Sequence, residues 1–114
     1  MIEQDFYTAI SSVAGGRVYP TVAPQDADYP MVVYQRISTA RFNSVDGDQA
    51  KARVRFQVSC WGMTYADAKN TAAAIKTAVR GSTLTAVTDS EQDGYEDGDR
   101  IYRANIDFLV MGED

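Results

Sequence analysis

Hydrophobic and polar residues alternate along residues 50–61, and this is the clearest structural signal in the chain. One parity holds the apolar residues Val54, Phe56, Val58 and Cys60, and the other holds Arg53, Arg55, Gln57 and Ser59. Successive side chains of a β-strand point to opposite faces of its sheet. The alternation therefore predicts a strand with one apolar face and one polar face, followed by a helix that covers the apolar face.

A second alternating stretch, residues 102–110, predicts the last strand of the same sheet. Its apolar parity holds Tyr102, Ala104, Ile106, Phe108 and Val110, and its polar parity holds Arg103, Asn105 and Asp107. A slip of one residue would place arginine and aspartate in the core, so the register is firmly set. The polar faces of the two strands lie beyond the reach of the chain's own helices, and water or a second protein must cover them.

The remaining pattern predicts two helices and three further strands. Apolar residues at helical spacing run from Ile2 to Val13, and the glycine pair at 15–16 ends this first helix. Thr64 is the predicted N-cap of the second helix, which ends at Gly81. The other elements are a short extended piece at 17–20, a strand covered on both faces at 31–39, a turn at 42–49 and a short strand at 84–87.

The order α-β-β-β-α-β-β predicts an α+β fold in which two helices pack on one face of a mainly antiparallel four- to five-stranded sheet. The 114 residues suit a single domain, residues 1–114. No apolar run approaches the length that crosses a bilayer, and the acidic start lacks the features of a secretory signal. The single cysteine excludes an internal disulfide framework and favours a cytosolic origin.

Charge is negative overall and unevenly distributed. The net charge is −5 and the sequence pI is about 4.6. An acidic protein gains nothing from neutralising phosphates, so we expect no tight, sequence-independent binding of DNA, although DNA can pass close by without adhering. Basic residues cluster between Arg36 and Arg55, whereas residues 89–99 hold six acids and no base.

The acidic stretch partly matches a calcium-binding loop. Asp89, Glu91 and Asp93 occupy the first, third and fifth positions and Gly94 the sixth, but Arg100 stands where a bidentate glutamate is required. The favoured interpretation is a solvated, mobile loop with at most adventitious metal binding. A second interpretation is a flexible acidic finger that becomes ordered against a partner.

Catalytic chemistry is not expected. The absence of histidine removes the commonest general base, most zinc sites and the Ser-His and Cys-His pairs. Cys60 has the parity of the buried residues, which favours an inert thiol. Trp61, at the end of the strand, is predicted to lie at the edge of the core, with a partner-facing anchor as the alternative. We expect no enzyme activity, no cofactor and no metal site.

A series of short motifs extends in one order over nearly the whole chain. They are Arg17-Val18-Tyr19-Pro20, Ala23-Pro24-Gln25, Pro30 leading to Val33-Tyr34-Gln35-Arg36-Ile37-Ser38, Arg55-Phe56-Gln57-Val58-Ser59-Cys60-Trp61, Thr64-Tyr65 with Ala68, Tyr102-Arg103 and Asp107-Phe108. With these motifs the chain resembles the tail-completion or tail terminator proteins, also called head-to-tail joining proteins, of long-tailed bacteriophages. The resemblance implies an α+β protomer that forms a ring, usually a hexamer, which caps the finished tail tube and offers its other side to the head connector.

Together, the resemblance and the uncovered polar faces predict a structural, non-enzymatic virion protein at the head-proximal end of the tail, assembled in the host cytoplasm. Expected partners are further copies of the chain, the tail tube protein and the head connector or stopper protein, with DNA passing through the lumen without specific binding. The candidate contact residues are Arg53, Arg55, Gln57, Arg103, Asp107, Glu91, Asp93 and Glu96. Two alternatives stay open: another head–tail connector component, and a small acidic inhibitor that binds a basic partner protein.

Overall fold

A computed structural model describes residues 2–44, 47–96 and 101–113, in which two α-helices and five strands follow one another in the predicted order. The elements are α1 (Ile2–Ile10), a 3-10 turn (Val13–Gly16), β1 (Val18–Pro20), β2 (Met31–Ser44), β3 (Gly47–Gly62), α2 (Tyr65–Arg80), β4 (Thr85–Glu96) and β5 (Ile101–Glu113). The predicted α+β class is confirmed. Across the described ranges, every helix is too short or too polar to cross a membrane.

The five strands form one sheet in the order β1-β2-β3-β5-β4. β1 pairs with β2 in parallel over three residues, and all other neighbours are antiparallel. Helix α2 connects β3 to β4, and β5 lies between those two strands. The register places Phe56 opposite Phe108 and Gln57 opposite Asp107, so apolar residues share one face and polar residues the other, as the alternation predicts.

Both helices pack on the apolar face. From α1, the ring of Phe6 stacks on Phe56, with the centroids 4.3 Å apart and the ring planes 2° apart. Ile75 of α2 is fully buried in the same core. The strand residues buried in this core are Val18, Val32, Tyr34, Ala52, Val54, Phe56, Val58, Cys60, Ala104, Ile106, Phe108 and Val110. Burial of each large apolar side chain stabilises the fold by roughly 1.5–3 kcal/mol. This layer of side chains between the helices and the sheet therefore holds the helices in place.

The junction between β3 and α2 is closely packed. The Thr64 hydroxyl oxygen accepts a hydrogen bond from the backbone N–H of Asp67 at 3.0 Å, which confirms the predicted N-cap. A Cβ atom added to Gly62 would lie only 2.7 Å from the backbone nitrogen of Ala68. The lack of a side chain at Gly62 therefore lets the first turn of α2 lie directly against the end of β3.

Three predictions about local structure are wrong or only partly right. The first helix ends at Ile10, and the glycine pair lies in the following 3-10 turn, where Gly15 and Gly16 have φ angles of +65° and +90°. The turn at 42–49 is shorter than predicted, because Ser44 already pairs with Gly47; Val45 and Asp46 lie outside the described residues. The strand predicted at 31–39 is covered on one face only, because both helices lie on that same face, and Ile37 is 47% exposed.

The largest correction concerns the acidic stretch. The sequence predicts a short strand at 84–87 followed by a loop, but β4 extends from Thr85 to Glu96 and pairs with β5 along its whole length. Pairing with β5, together with lysine contacts from α2, outweighs the low β-propensity of Asp, Glu and Gly. The interpretation as a mobile loop or flexible finger is therefore wrong for residues 89–96, while residues 97–100 lie outside the described ranges.

Candidate interaction surface

We call the face of the sheet opposite the helices the open face. Its five rows across β2, β3, β5 and β4 are Met31–Trp61–Arg103–Gly94, Val33–Ser59–Asn105–Gln92, Gln35–Gln57–Asp107–Ser90, Ser38–Arg55–Leu109–Val87 and Ala40–Arg53–Met111–Thr85. Residues that pair across antiparallel strands share a face, so the register places these side chains together. The predicted contact residues on this face are Arg53, Arg55, Gln57, Arg103 and Asp107.

Arg55 joins three strands on the open face. Its Nη1 atom lies 2.7 Å from Oδ2 of Asp89 in β4 and 3.4 Å from Oδ2 of Asp107 in β5. Asp89 reaches this face because it is the extra residue of a bulge between Thr88 and Ser90. The hydrogen bond to Asp89 is the main cause that raises the pKa of Arg55, so this guanidinium is a fixed positive charge at the centre of the face.

Arg103 forms a second polar cluster on the same face. Its guanidinium carbon lies 5.4 Å from the centre of the Trp61 ring, and its Nη1 atom donates to Oε1 of Glu96 at 3.2 Å. Gly94 leaves room for this side chain, since a Cβ there would lie 2.9 Å from Nη2 of Arg103. The Nε atom of Arg103 and the Oδ1 atom of Asn105 are buried and have no hydrogen-bond partner within the described chain.

Apolar side chains lie beside these charges. Val87 is 51% exposed and Met111 40% exposed, and Leu109, half-buried, lies between Val87 and Arg55 in its row. A contiguous group of exposed apolar residues often marks a site where another protein binds. Arginine, methionine and tryptophan are also enriched in protein interfaces, so the composition of the open face is that of a contact surface.

Two of the predicted contact residues, Glu91 and Asp93, lie on the helix side of β4. Lys76 contacts Glu91 at 2.9 Å, and Lys69 contacts Asp93 at 3.1 Å. The hydroxyl of Tyr65 also donates to Asp93, at 3.2 Å. The hydrogen bond to Asp93 is the main cause that raises the pKa of Lys69. The structure therefore does not bring these two acids together with the arginines; they fasten β4 to α2 instead.

This arrangement bears on the metal and thiol hypotheses. Asp89 points to the open face and Glu91 and Asp93 to the helix side, so the three acids cannot surround one cation as the ligands of a calcium loop do. Among the residues that the structure describes, no cluster of three or more His, Cys, Asp and Glu could hold a metal ion. Cys60 is buried, as its parity predicts, and burial raises the pKa of its thiol to about 12.

Sequence reasoning missed three members of the open face, namely Trp61, Leu109 and Met111. The prediction that Trp61 lies at the edge of the core is wrong, because it lies on the face opposite the core. The signal was present: Trp61 continues the odd parity of Arg53 and Arg55, and Leu109 and Met111 continue that of Arg103 and Asp107. Hydrophobicity suggested the core, while parity pointed to the open face.

A two-layer α+β domain with an uncovered charged and apolar sheet face has the features of an assembly protein. The sequence model of a protein family described as "Tail completion protein gp17" matches residues 7–113. The chain therefore belongs to this family, and it is a structural protein of tail assembly in phage-like particles.

Comparison with solved structures gives the same fold. A chain from the structure titled "Virion of native gene transfer agent (GTA) particle" is similar, with a TM-score of 0.76 and 19% identity. The match covers 99% of this chain and 95% of that one. No curated protein sequence matches the chain. The domain thus has the length and the topology of a chain found in a virus-like particle.

Proposed function

We propose that this protein is a tail terminator. Copies of the chain, six being the expected number, form a ring at the head-proximal end of the tail. One side of the ring caps the finished tail tube and stops its growth, and the other side binds the head connector or stopper protein. Assembly takes place in the host cytoplasm. Membership of the tail completion family supports the role in the tail, and the surface of the protomer supports the ring and its contacts.

The open face is the observation that carries this proposal. It presents Arg53 and Arg55 beside exposed Met111 and Val87. A partner that covered this face would bury the apolar side chains and could pair with the charges that lie beside them.

The charge of the whole chain supports the role of the lumen. DNA must cross the joint between head and tail without adhering. Since the net charge is −5, a ring of six copies carries a charge of about −30, and it gains no affinity from releasing counterions of DNA. We therefore propose that DNA passes through the ring without specific binding.

Light scattering coupled to size exclusion tests the proposal. The purified protein, alone or mixed with tail tube protein or connector, should elute with the mass of a ring or of a ring bound to its partner. Electron microscopy of growing tubes should show that addition of the protein stops elongation and shortens the tubes. A protein that stays monomeric under all these conditions and leaves tube length unchanged contradicts the proposal.

A matched pair of charge reversals tests the open face. Arg53→Glu changes an exposed residue on the open face, and Arg80→Glu changes an exposed residue at the end of α2. Loss of the Arg53 charge should weaken binding to the tube or connector at least tenfold, equivalent to about 1.4 kcal/mol. The Arg80 variant should bind like the wild type. Equal binding by both variants shows that the open face is not the contact surface.

A further inference from the structure

We infer that the ring closes edge to edge, by antiparallel pairing of β4 in one copy with β2 in the next. This inference rests on the proposed function, because it specifies how the proposed ring is held together. It assigns the two exposed edges of the sheet to neighbouring copies of the chain.

Both edges carry backbone groups without a partner strand in the described chain. β4 has β5 on one side and no strand on the other. On the outer side of β2, the parallel strand β1 pairs only with Val32, Val33 and Tyr34, so β2 from residue 35 onward is uncovered on that side. Rows of unpaired N–H and C=O groups are templates for pairing with another chain.

Proline and lysine, which protect many exposed edges, are absent from both strands. Proteins protect such edges with charged side chains, above all lysine, with proline and with bulges. β2 (Met31–Ser44) and β4 (Thr85–Glu96) contain neither lysine nor proline, and their charged residues are arginines on β2 and carboxylates on β4. β2 has two register shifts, one at Ile37 and one between Arg41 and Asn43, and β4 has one, at Asp89. Such irregularities bend a strand, so we place the contact on the regularly paired segments, residues 38–41 and 90–96.

The charges of the two edges are complementary. β2 carries Arg36 and Arg41 and no acid, whereas β4 carries four acids and no base, namely Asp89, Glu91, Asp93 and Glu96. Each of these carboxylates contacts a cation of its own chain, yet its side chain is 41–47% exposed. A carboxylate has about four sites for accepting hydrogen bonds, so it can accept from a second arginine as well. Complementary potentials favour the pairing of unlike edges over the pairing of two β4 edges.

The direction of the strands fits a closed ring. β2 and β4 run antiparallel within one sheet, since three antiparallel pairings separate them. A copy related by rotation about an axis along the strands therefore presents β2 antiparallel to β4. Such a contact joins unlike surfaces, and when the rotation closes it gives a ring.

Disulfide trapping tests this contact directly. Four double variants combine Ser38→Cys or Ala40→Cys in β2 with Ser90→Cys or Gln92→Cys in β4, all at exposed positions. Within one copy these strands are about 14 Å apart, beyond the reach of a disulfide, so any bond that forms joins two copies. The native thiol Cys60 is buried with a raised pKa and adds little background. The matched controls are the four single variants.

We expect at least one double variant to give, on mild oxidation, a ladder of linked species that ends at the size of the ring, while the single variants give none. A ring by light scattering without a ladder in any double variant overturns the edge contact and leaves the proposed function standing. Dimers from a single β4 variant also overturn it, because they show pairing of like edges. A monomer in light scattering, alone and with the tube protein, overturns the proposed function together with this inference.

Discussion

At the scale of single residues, the buried thiol of Cys60 makes stability depend on pH above neutrality. Burial raises its pKa from the usual 9.0 to about 12 in the folded protein. As pH rises past 9, the unfolded chain loses the thiol proton while the folded chain keeps it. Below pH 9 the thiol therefore makes its full contribution to the free energy of unfolding. Between pH 9 and 12 this contribution decreases, by up to about 1.4 kcal/mol per pH unit.

Urea unfolding at pH 7, 8.5 and 10 measures this effect. The free energy of unfolding of the wild type should decrease more steeply above pH 9 than that of Cys60→Ala, and the difference between the two isolates the thiol from tyrosine and lysine titration. A thiol reagent at pH 8 should label the wild type in denaturant and not in its absence. Identical pH slopes for the two proteins contradict the prediction.

Gly62 gives a second prediction at this scale. A Cβ there would lie 2.7 Å from the backbone nitrogen of Ala68 and 2.8 Å from Cβ of Asp67, so α2 must move away from β3 to admit it. We expect Gly62→Ala to lower the free energy of unfolding by about 1–3 kcal/mol. Gly81→Ala is the control, since its nearest atom would be 3.4 Å away at a φ of −81°. Equal urea midpoints for the two variants count against the close approach.

At the scale of elements, β4 depends on α2 for its position. Lys69 and Lys76 contact Asp93 and Glu91 from the helix. Because its pKa is raised, Lys69 stays charged through neutral pH. The stabilisation from its contact with Asp93 is lost only as pH rises above 10.5, the ordinary pKa of lysine. An exposed ion pair contributes about 0–1 kcal/mol, so Lys69→Met should accelerate hydrogen exchange of the amides at 91–95 by up to about fivefold. The control Lys51→Met, at an exposed position of β3, should leave the exchange of those amides unchanged. Equal acceleration of amides throughout the sheet by Lys69→Met would argue against a local effect on β4.

This element also shows where prediction from sequence stops. The alternation in β3 and β5 has one apolar parity, and it was enough to predict both strands, their faces and the open face. β4 alternates too, with Glu91, Asp93 and Tyr95 on one parity. The partners of the two acids, however, are Lys76 and Lys69, which precede them by 15 and 24 residues. Hydrophobic patterning cannot reveal a strand that is held by β5 on one side and by ion pairs to α2. The sequence pattern therefore predicts a loop for these acids.

At the scale of the whole molecule, the same limit applies to the surface of assembly. Parity identifies which residues lie on the open face, because it depends only on the period of a strand. The order β1-β2-β3-β5-β4 decides which edges are uncovered, and it follows from the crossing of α2 over the sheet rather than from any local pattern. Edges, and hence contacts between copies, become visible only when the strands are placed.

Salt should affect assembly in two opposite ways, because it screens both the repulsion between copies and the attraction between opposite charges at their contacts. The two effects act over different distances, so they respond to different salt concentrations. Each copy carries −5, and the protomer is about 25 Å wide, so neighbouring copies repel over about that distance. The Debye length is about 30 Å at 0.01 M salt, 8 Å at 0.15 M and 3 Å at 1 M. Salt at 0.15 M therefore suppresses the long-range repulsion but leaves contacts between opposite charges at 3–4 Å largely intact, and 1 M salt weakens those as well.

We consequently expect the dissociation constant of the ring, measured by sedimentation at 0.01, 0.15 and 1 M NaCl, to be lowest near 0.15 M. An assembly held by apolar contacts alone would strengthen steadily as salt screens the repulsion, since nothing favourable would be lost. Arg36→Gln together with Arg41→Gln should remove the weakening between 0.15 and 1 M, because these changes delete the cations that we place opposite the acidic edge. Persistence of that weakening in the double variant would locate the attractive charges elsewhere, on the open face around Arg55.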